Sequence, residues 1–454
     1  MAKNEFASKI GLVAATVGSA VGLGNVWRFP AETQSNGGSA FLLLYVGCVL
    51  LLGIPVMLAE FSLGRGGKSD AIGSFMNLSP GKKWWTVGAL AVLTSYLILC
   101  YYMVVAGWTL EYLVESVCGG LYDGIAQTPE AGYSAFFGER MGEYINSDGR
   151  PLLYTALLLI INAGVLLGGV QGGIERLSNI MMPLLFVILA IMCGVSLSLP
   201  NASEGVSFFL KPDFSKIDAS TVVNALGQAF FSLSLGMGVL ITYSSYYPAD
   251  TRLGRTAGSV AFASLLVAVM MGLIIFPAVK SFGLEGENLR GATLVFVTLP
   301  EIFARLPLSA LWSTLFFTLL FVAALTSSVS IAEVTVATLA DRFKMRRRTA
   351  VIVTMLPLVA LSSLCALSFG SLAGFKIAGM TIFDLLDNTT TNVLLPLVSL
   401  GVCVYMGWFS PKTLLAAELT NGGKHRSRTA TAAAFIIRYV APLLIALIIV
   451  NNYL

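Results

Sequence analysis

The sequence has little charge and almost no histidine. Of its 454 residues, 11% are charged and a single one, His425, is histidine. A soluble domain would carry charge on roughly a quarter of its residues. This scarcity, with 56% apolar residues and a mean hydropathy of +0.82, excludes a water-soluble globule. It points to an all-α integral membrane protein with many spans. One histidine excludes a histidine proton relay and a histidine metal centre. Six cysteines (Cys48, Cys100, Cys118, Cys193, Cys365 and Cys403) are scattered, five of them well inside apolar runs. They have neither metal spacing nor a disulfide pattern. The net charge of +4 is slight and by itself says nothing about nucleic acid, and no nucleic-acid partner is expected. No cleavable leader is expected either, because the first apolar segment, from Ile10, is too long and lacks a small-residue cleavage site. Clustered carboxylates, histidines or metal ligands at one membrane face are missing, which argues against an enzyme.

Long apolar runs are abundant. A membrane-crossing helix needs ~20 mostly apolar residues. Eleven stretches qualify: 10–34, 38–65, 85–118, 151–170, 175–199, 220–247, 256–282, 308–341, 348–371, 381–408 and 430–453. Lysine and arginine sort the loops between them. Lys3, Lys9, Arg65, Lys68, Lys82, Lys83 and the cluster from Arg342 to Arg348 all fall on one side. The positive-inside rule makes that side cytoplasmic. The N-terminus is then inside, and eleven spans put the C-terminus outside. The expected location is the plasma (inner) membrane of a bacterium, with the lipid bilayer as solvent.

The first span is unlike a helix built only to cross lipid. It reads GSAVGLGNVWRFP over residues 18–30, with Gly18, Gly22, Gly24, Asn25, Arg28 and Pro30 packed into an apolar run. Gly18 and Gly22 alone fit helix packing. Asn25 does not, since a mid-span amide is costly without a partner. Non-helical backbone at membrane depth is tolerated where it lines a cavity. Span 6 echoes the pattern over 227–238, with serines and close-set glycines. The two lie five spans apart and enter the bilayer from opposite sides. That is the sign of an inverted repeat with interrupted helices. The chain then divides into residues 1–199 (spans 1–5), 200–408 (spans 6–10), and 409–454 (a cytoplasmic loop and span 11).

Other spans carry polar groups at similar depth. Span 8 has Ala323, Thr326, Ser327 and Ser328. A single hydroxyl often bonds its own helix, but three in a row suit a lining. Hydroxyl, amide and carbonyl oxygens are what a hard cation takes. Glu60 lies deep in span 2 and suits the freed amides of a broken helix. Tyr101-Tyr102 in span 3 and Phe230-Phe231 in span 6 read by themselves as packing. Asp387, at the outer end of span 10, suits either a pair with Arg28 or solvent.

Together these residues resemble the neurotransmitter:sodium symporter family, whose leucine-transporter-type fold has this inverted repeat. The likeness runs from Lys3 through span 10 and is nearest to bacterial multi-substrate transporters of hydrophobic amino acids. It implies a sodium-coupled symporter of hydrophobic L-amino acids, aromatic and branched aliphatic, working by alternating access with two Na+. By this resemblance one sodium site takes Ala20, Asn25, Ser232 and Ser264, completed by the substrate carboxylate. The other takes Gly18, Val21, Ala323, Thr326 and Ser327. Substrate would meet Ser19, Ala20, Leu23, Gly24, Ile98, Tyr102, Phe231, Ser234, Met237, Ser328 and Ile331. The outer gate is expected at Arg28 and Asp387, and the inner gate at Lys3, Tyr246 and Asp341. Glu60 supports the broken helices. Gly173 and Pro183 resemble a motif for unwinding span 5. Met237 stands where many relatives have Phe, and a flexible thioether suits several substrate sizes. Ser264 stands where relatives often have Asn or Asp, and Ala268 where chloride-dependent members have Ser and some chloride-independent ones Glu. Tyr45 and Gln228 match the chloride-site pattern, so chloride dependence is open at this point. Proton-coupled transport on the same fold would need a titratable group, typically a lysine, near Thr326, and the sequence places none there. A channel or membrane enzyme is the remaining alternative. The oligomeric state is not legible.

Overall fold

The computed structural model describes residues 5–284, 291–424 and 430–451. Among them there are helices and connecting turns, and no strand. Nine helices are long and apolar enough to cross a membrane, and a bent pair makes a tenth. We number the spans in chain order. The bent pair is α1, with halves α1a (Lys9–Ala20) and α1b (Gly24–Ser35). Then come α2 (Ser39–Gly67), α3 (Trp85–Cys118), α4 (Gly149–Leu167) and α5 (Val170–Leu197). The sixth is also broken, into α6a (Ala219–Ser232) and α6b (Val239–Ser244). Five more follow: α7 (Leu253–Ser281), α8 (Ser309–Arg342), α9 (Arg347–Leu367), α10 (Ile382–Phe409) and α11 (Ala430–Val450). Each lies on one of the eleven stretches expected from hydropathy.

Burial orders these helices from centre to rim. The apolar window of α8 is 83% buried and that of α11 is 28% buried. Helices α3 and α8 are each 34 residues long and pack along one another. The rim carries exposed Ile160, Leu356 and Leu443, as a lipid-facing surface should.

Loop contacts define two faces. On the N-terminal face, Lys9 pairs with Asp250 at 2.7 Å, and the Asp341 carboxylate accepts the Asp70 amide at 3.2 Å. Arg65, buried at the end of α2, bonds Glu418 and Asn421 and so fixes the short helix Leu414–Thr420. On the opposite face, Ser39 bonds the Lys211 carbonyl, and the Ser371 amide donates to Asp148 at 2.9 Å.

Two breaks interrupt this helical order. α1a and α1b meet at 51° across Val21-Gly22-Leu23. Close approach explains the glycines. A Cβ on Gly22 would lie 2.6 Å from the Ser327 hydroxyl, and one on Gly24 would lie 2.6 Å from the Phe231 ring. α6 is unwound over residues 233–238, where Ser234 (φ +53), Gly236 (φ +77) and Gly238 (φ +71) all take left-handed backbone. For serine that conformation is uncommon and costs about 1 kcal/mol or more.

Candidate substrate and cation sites

The two breaks face each other across α3 and α8. A small cavity lies between them, lined by Ser19, Ala20, Leu23, Gly24, Ile98, Tyr102, Phe231, Ser234, Met237 and Ile331. Ten of the eleven expected substrate-contact residues therefore share one cavity. Gly22, Ser232 and Ser327 complete its wall. Ser328 is not among the lining residues. Its hydroxyl donates instead to the Asn162 side chain of α4 at 2.9 Å. Three consecutive residues of a helix cannot all face one point, so Ser328 turns away as Ser327 turns in.

The strained serine acts here. The Ser234 hydroxyl donates to the Ser19 carbonyl at 2.7 Å, tying α6 to α1 across the cavity. The Tyr102 hydroxyl is buried and has no hydrogen-bond partner among the described residues. α1b begins at the cavity with no side-chain cap, leaving its first amides unpaired by any capping group. Such a helix start attracts an anion. The wall thus combines polar groups with the apolar side chains of Ile98, Met237 and Ile331.

Below the break in α1, the Ser327 hydroxyl donates to the Gly18 carbonyl at 3.2 Å and the Val21 carbonyl at 3.4 Å. The Thr326 hydroxyl bonds the Ala323 carbonyl at 3.2 Å. A Cβ on Gly18 would sit 3.3 Å from the Thr326 Cβ. All five oxygens expected of this cation site come from two neighbouring helices. A second oxygen cluster joins α1, α6 and α7. The Asn25 amide nitrogen donates to the Ser264 hydroxyl at 2.9 Å, which itself donates to the Ser232 carbonyl at 3.2 Å. The Asn25 side-chain oxygen is buried and has no partner among the described residues. A buried, orphaned oxygen is costly unless something binds it, and a hard cation is such a partner. Tyr45 donates to the Ser232 hydroxyl at 2.9 Å, and the Gln228 amide to the Gly24 carbonyl at 3.0 Å. The donor set is oxygen throughout, which suits Na+ and not a soft transition metal.

The sodium:neurotransmitter symporter family model matches residues 3–123 and 130–454. The chain belongs to that family. Its members are secondary transporters, not enzymes, and the all-α membrane fold with interrupted first and sixth helices is theirs. An uncharacterized sodium-dependent transporter of Bacillus subtilis (strain 168), YhdH, is 36% identical over 98% of this chain and 97% of its own. The sodium-dependent serotonin transporter of Drosophila melanogaster is 27% identical over 81% of this chain and 65% of its own. Among solved structures, that of MhsT in complex with L-phenylalanine is 40% identical, with a TM-score of 0.89, covering 99% of this chain and all of that one.

Within this symporter the two ends of the pathway differ. On one face a vestibule of about 810 Å3 descends to Tyr102 and Phe231, with Arg28 and Asp387 on its wall. No ion pair joins Arg28 to Asp387 among the described residues. Arg28 faces Glu32 at 3.7 Å and lies over the Phe231 ring at 5.1 Å, while Asp387 accepts from Thr391 at 3.1 Å. The expected outer gate is therefore unpaired here, because an open vestibule separates its two halves.

The N-terminal face is shut. Phe6 packs edge-on to Tyr243 and Tyr246. The Tyr246 hydroxyl donates to Glu333 at 3.0 Å, and Arg347 meets the same carboxylate at 2.7 Å. Of the expected inner gate, Tyr246 bonds Glu333, Asp341 holds the Asp70 amide, and Lys3 lies outside the described residues. Glu333 and Arg347 were missed. The signal was present, since Glu333 is a carboxylate deep in a span just as Glu60 is. Gly173 and Pro183 lie in a wound helix in this structure. α5 opens with a π-helical segment, Val170–Glu175, and continues without a break through Pro183.

Proposed function

We propose that this protein is a two-Na+ symporter of hydrophobic L-amino acids, working by alternating access in a bacterial plasma membrane. The observation that carries the reading is the cavity. Its wall combines an uncapped helix start and the buried Tyr102 hydroxyl with the apolar side chains of Ile98, Met237 and Ile331. A zwitterion with an apolar side chain matches that polarity. The α-carboxylate goes to the Leu23 and Gly24 amides and Tyr102. The ammonium goes to carbonyls freed by the two breaks, near Ala20, Phe231 and Ser234. The bound L-phenylalanine of the MhsT structure is a ligand of this class.

One sodium is assigned to the Ala20 carbonyl with Asn25, Ser232 and Ser264, and its last ligand is the substrate carboxylate. That shared ligand couples substrate to ion. The other sodium is assigned to the carbonyls of Gly18, Val21 and Ala323 with Thr326 and Ser327. It holds α1a against α8, and its loss frees α1a to move. Residues 1–199 and 200–408 act as the two repeats, with 409–454 appended. The cation-rich N-terminal face is cytoplasmic and the C-terminus is outside. Each inward sodium then adds ~2.3 kcal/mol per 100 mV to its concentration gradient.

The test is scintillation proximity binding across the proteinogenic amino acids, with Na+ or K+. Saturable, Na+-dependent binding of aromatic and branched aliphatic residues supports the reading. A preference for charged or small polar amino acids would reject the substrate class.

A further inference from the structure

The N-terminal face has a crevice that transport of sodium and substrate does not use. It has a volume of about 340 Å3 between α1a and the start of α7, and its wall includes Lys9, Asp250, Thr251, Arg252, Arg255 and Ser259. Three cations and one carboxylate stand there. Asp250 is taken by Lys9 at 2.7 Å. Arg252 and Arg255 have no ion pair among the described residues. Both lie at the N-terminus of α7, a 29-residue helix whose N-cap, Arg252, gives no side-chain cap. Helix start and guanidinium groups thus present positive charge to one space.

A second observation points to a ligand. Thr251 is 5% exposed, and its buried hydroxyl has no hydrogen-bond partner among the described residues. Its carbonyl is fixed by Arg65, so the residue is held in place on the crevice wall. Apolar groups lie in and beside the crevice: Leu12 and Val13 of α1a line it. Arg255, Ser259 and Phe262 follow one face of α7 at helical spacing, and Phe262 is 67% exposed. Ile10, next to Lys9 in α1a, is 79% exposed. A cationic mouth above apolar walls fits a molecule with an anionic head and acyl tails.

We propose that this crevice binds the phosphate group of an anionic phospholipid. The phosphodiester sits between Arg252, Arg255 and the Thr251 hydroxyl, and the acyl chains run past Ile10 and Phe262. A basic pocket between spans near the headgroup level is a recurrent solution for such lipids. Because α1a forms one wall, a bound lipid braces the closed state of this face.

The full chain, reconstituted in phosphatidylcholine vesicles, is probed with spin-labelled phosphatidylglycerol and spin-labelled phosphatidylcholine. The motionally restricted fraction of each is measured. The wild type is expected to prefer phosphatidylglycerol, and each of Arg252→Gln and Arg255→Gln to lower that preference about fivefold. Lys82→Gln, a cation elsewhere on the face, should leave it unchanged. Thr251→Val removes only the hydroxyl and should also weaken the preference, which keeps the test usable if an arginine variant fails to fold. An unchanged preference in folded variants would overturn the proposal. So would displacement of the labelled lipid by inorganic phosphate at matched ionic strength, since the ligand would then be a soluble anion. None of these readouts involves sodium or amino acid, so the outcome is independent of the transport reading.

Discussion

The Glu60 carboxylate of α2 accepts the Gly236 amide of the unwound stretch of α6 at 2.8 Å, with both residues buried. Unwinding a helix in mid-membrane orphans backbone donors, and each orphan costs about 1–3 kcal/mol. Glu60 answers one of them from a neighbouring helix. Glu60→Ala should therefore lower the melting temperature and abolish high-affinity substrate binding, while Glu60→Gln, which keeps the acceptor, should retain part of both. Thermal melts and equilibrium binding on the purified variants check this. Equal losses in the two would mean the carboxylate acts by charge and not as an acceptor.

Strain at Ser234 separates stability from function. Its backbone is left-handed, yet its hydroxyl bonds Ser19 across the cavity. Ser234→Gly should relieve about 1 kcal/mol of strain, offset by the orphaned Ser19 carbonyl, and weaken substrate binding by about tenfold. A melting temperature little changed with poorer binding is the expected pair of results. A variant that binds as well as wild type would show that this contact does not shape the site.

The two oxygen clusters should separate in their ion dependence. Thr326→Ala removes a hydroxyl that only the α1–α8 cluster uses, Ser327→Ala one that also lines the substrate cavity, and Asn25→Asp alters only the other cluster. Each should raise the sodium concentration for half-maximal binding by about tenfold or more, with expression little changed. At saturating sodium Asn25→Asp should still weaken all substrates alike while Thr326→Ala should not, because the Asn25 cluster is assigned the α-carboxylate that every amino acid carries. Sodium titrations at several amino acids check this.

Much of the fold was legible because lipid is a demanding solvent. The eleven spans, the two breaks and the polar residues beside them all violate or satisfy simple hydropathy. The site was legible largely through resemblance. Composition alone read Tyr102 and Phe231 as packing, and only the fold turns them toward the cavity. Ser328 shows the limit on the other side, since its hydroxyl differs from that of Ser327 only by one helical step. The bond from Glu333 to Arg347 joins α8 to α9 across a turn, and neither residue announces the other in sequence. Pairing of Arg28 with Asp387 depends on conformation, which sequence does not carry.

The closed N-terminal face supplies a further prediction. Glu333 is fully buried and held by Arg347 and Tyr246. Removing one partner of a buried pair costs about 3–5 kcal/mol in the state that contains it. Arg347→Ala should therefore shift the protein toward opening on this face. A cysteine placed at Phe6 should react faster with a hydrophilic thiol reagent in the Arg347→Ala background, and sodium should slow it again. No change in labelling rate would place the lock elsewhere.

The central claim is that substrate binding requires sodium, because the ion and the substrate carboxylate complete one site. The direct measurement is equilibrium binding of radiolabelled L-tryptophan to the purified protein in NaCl and in KCl at equal ionic strength. The account predicts saturable binding in sodium and none above background in potassium. Equal affinity in the two salts would contradict it.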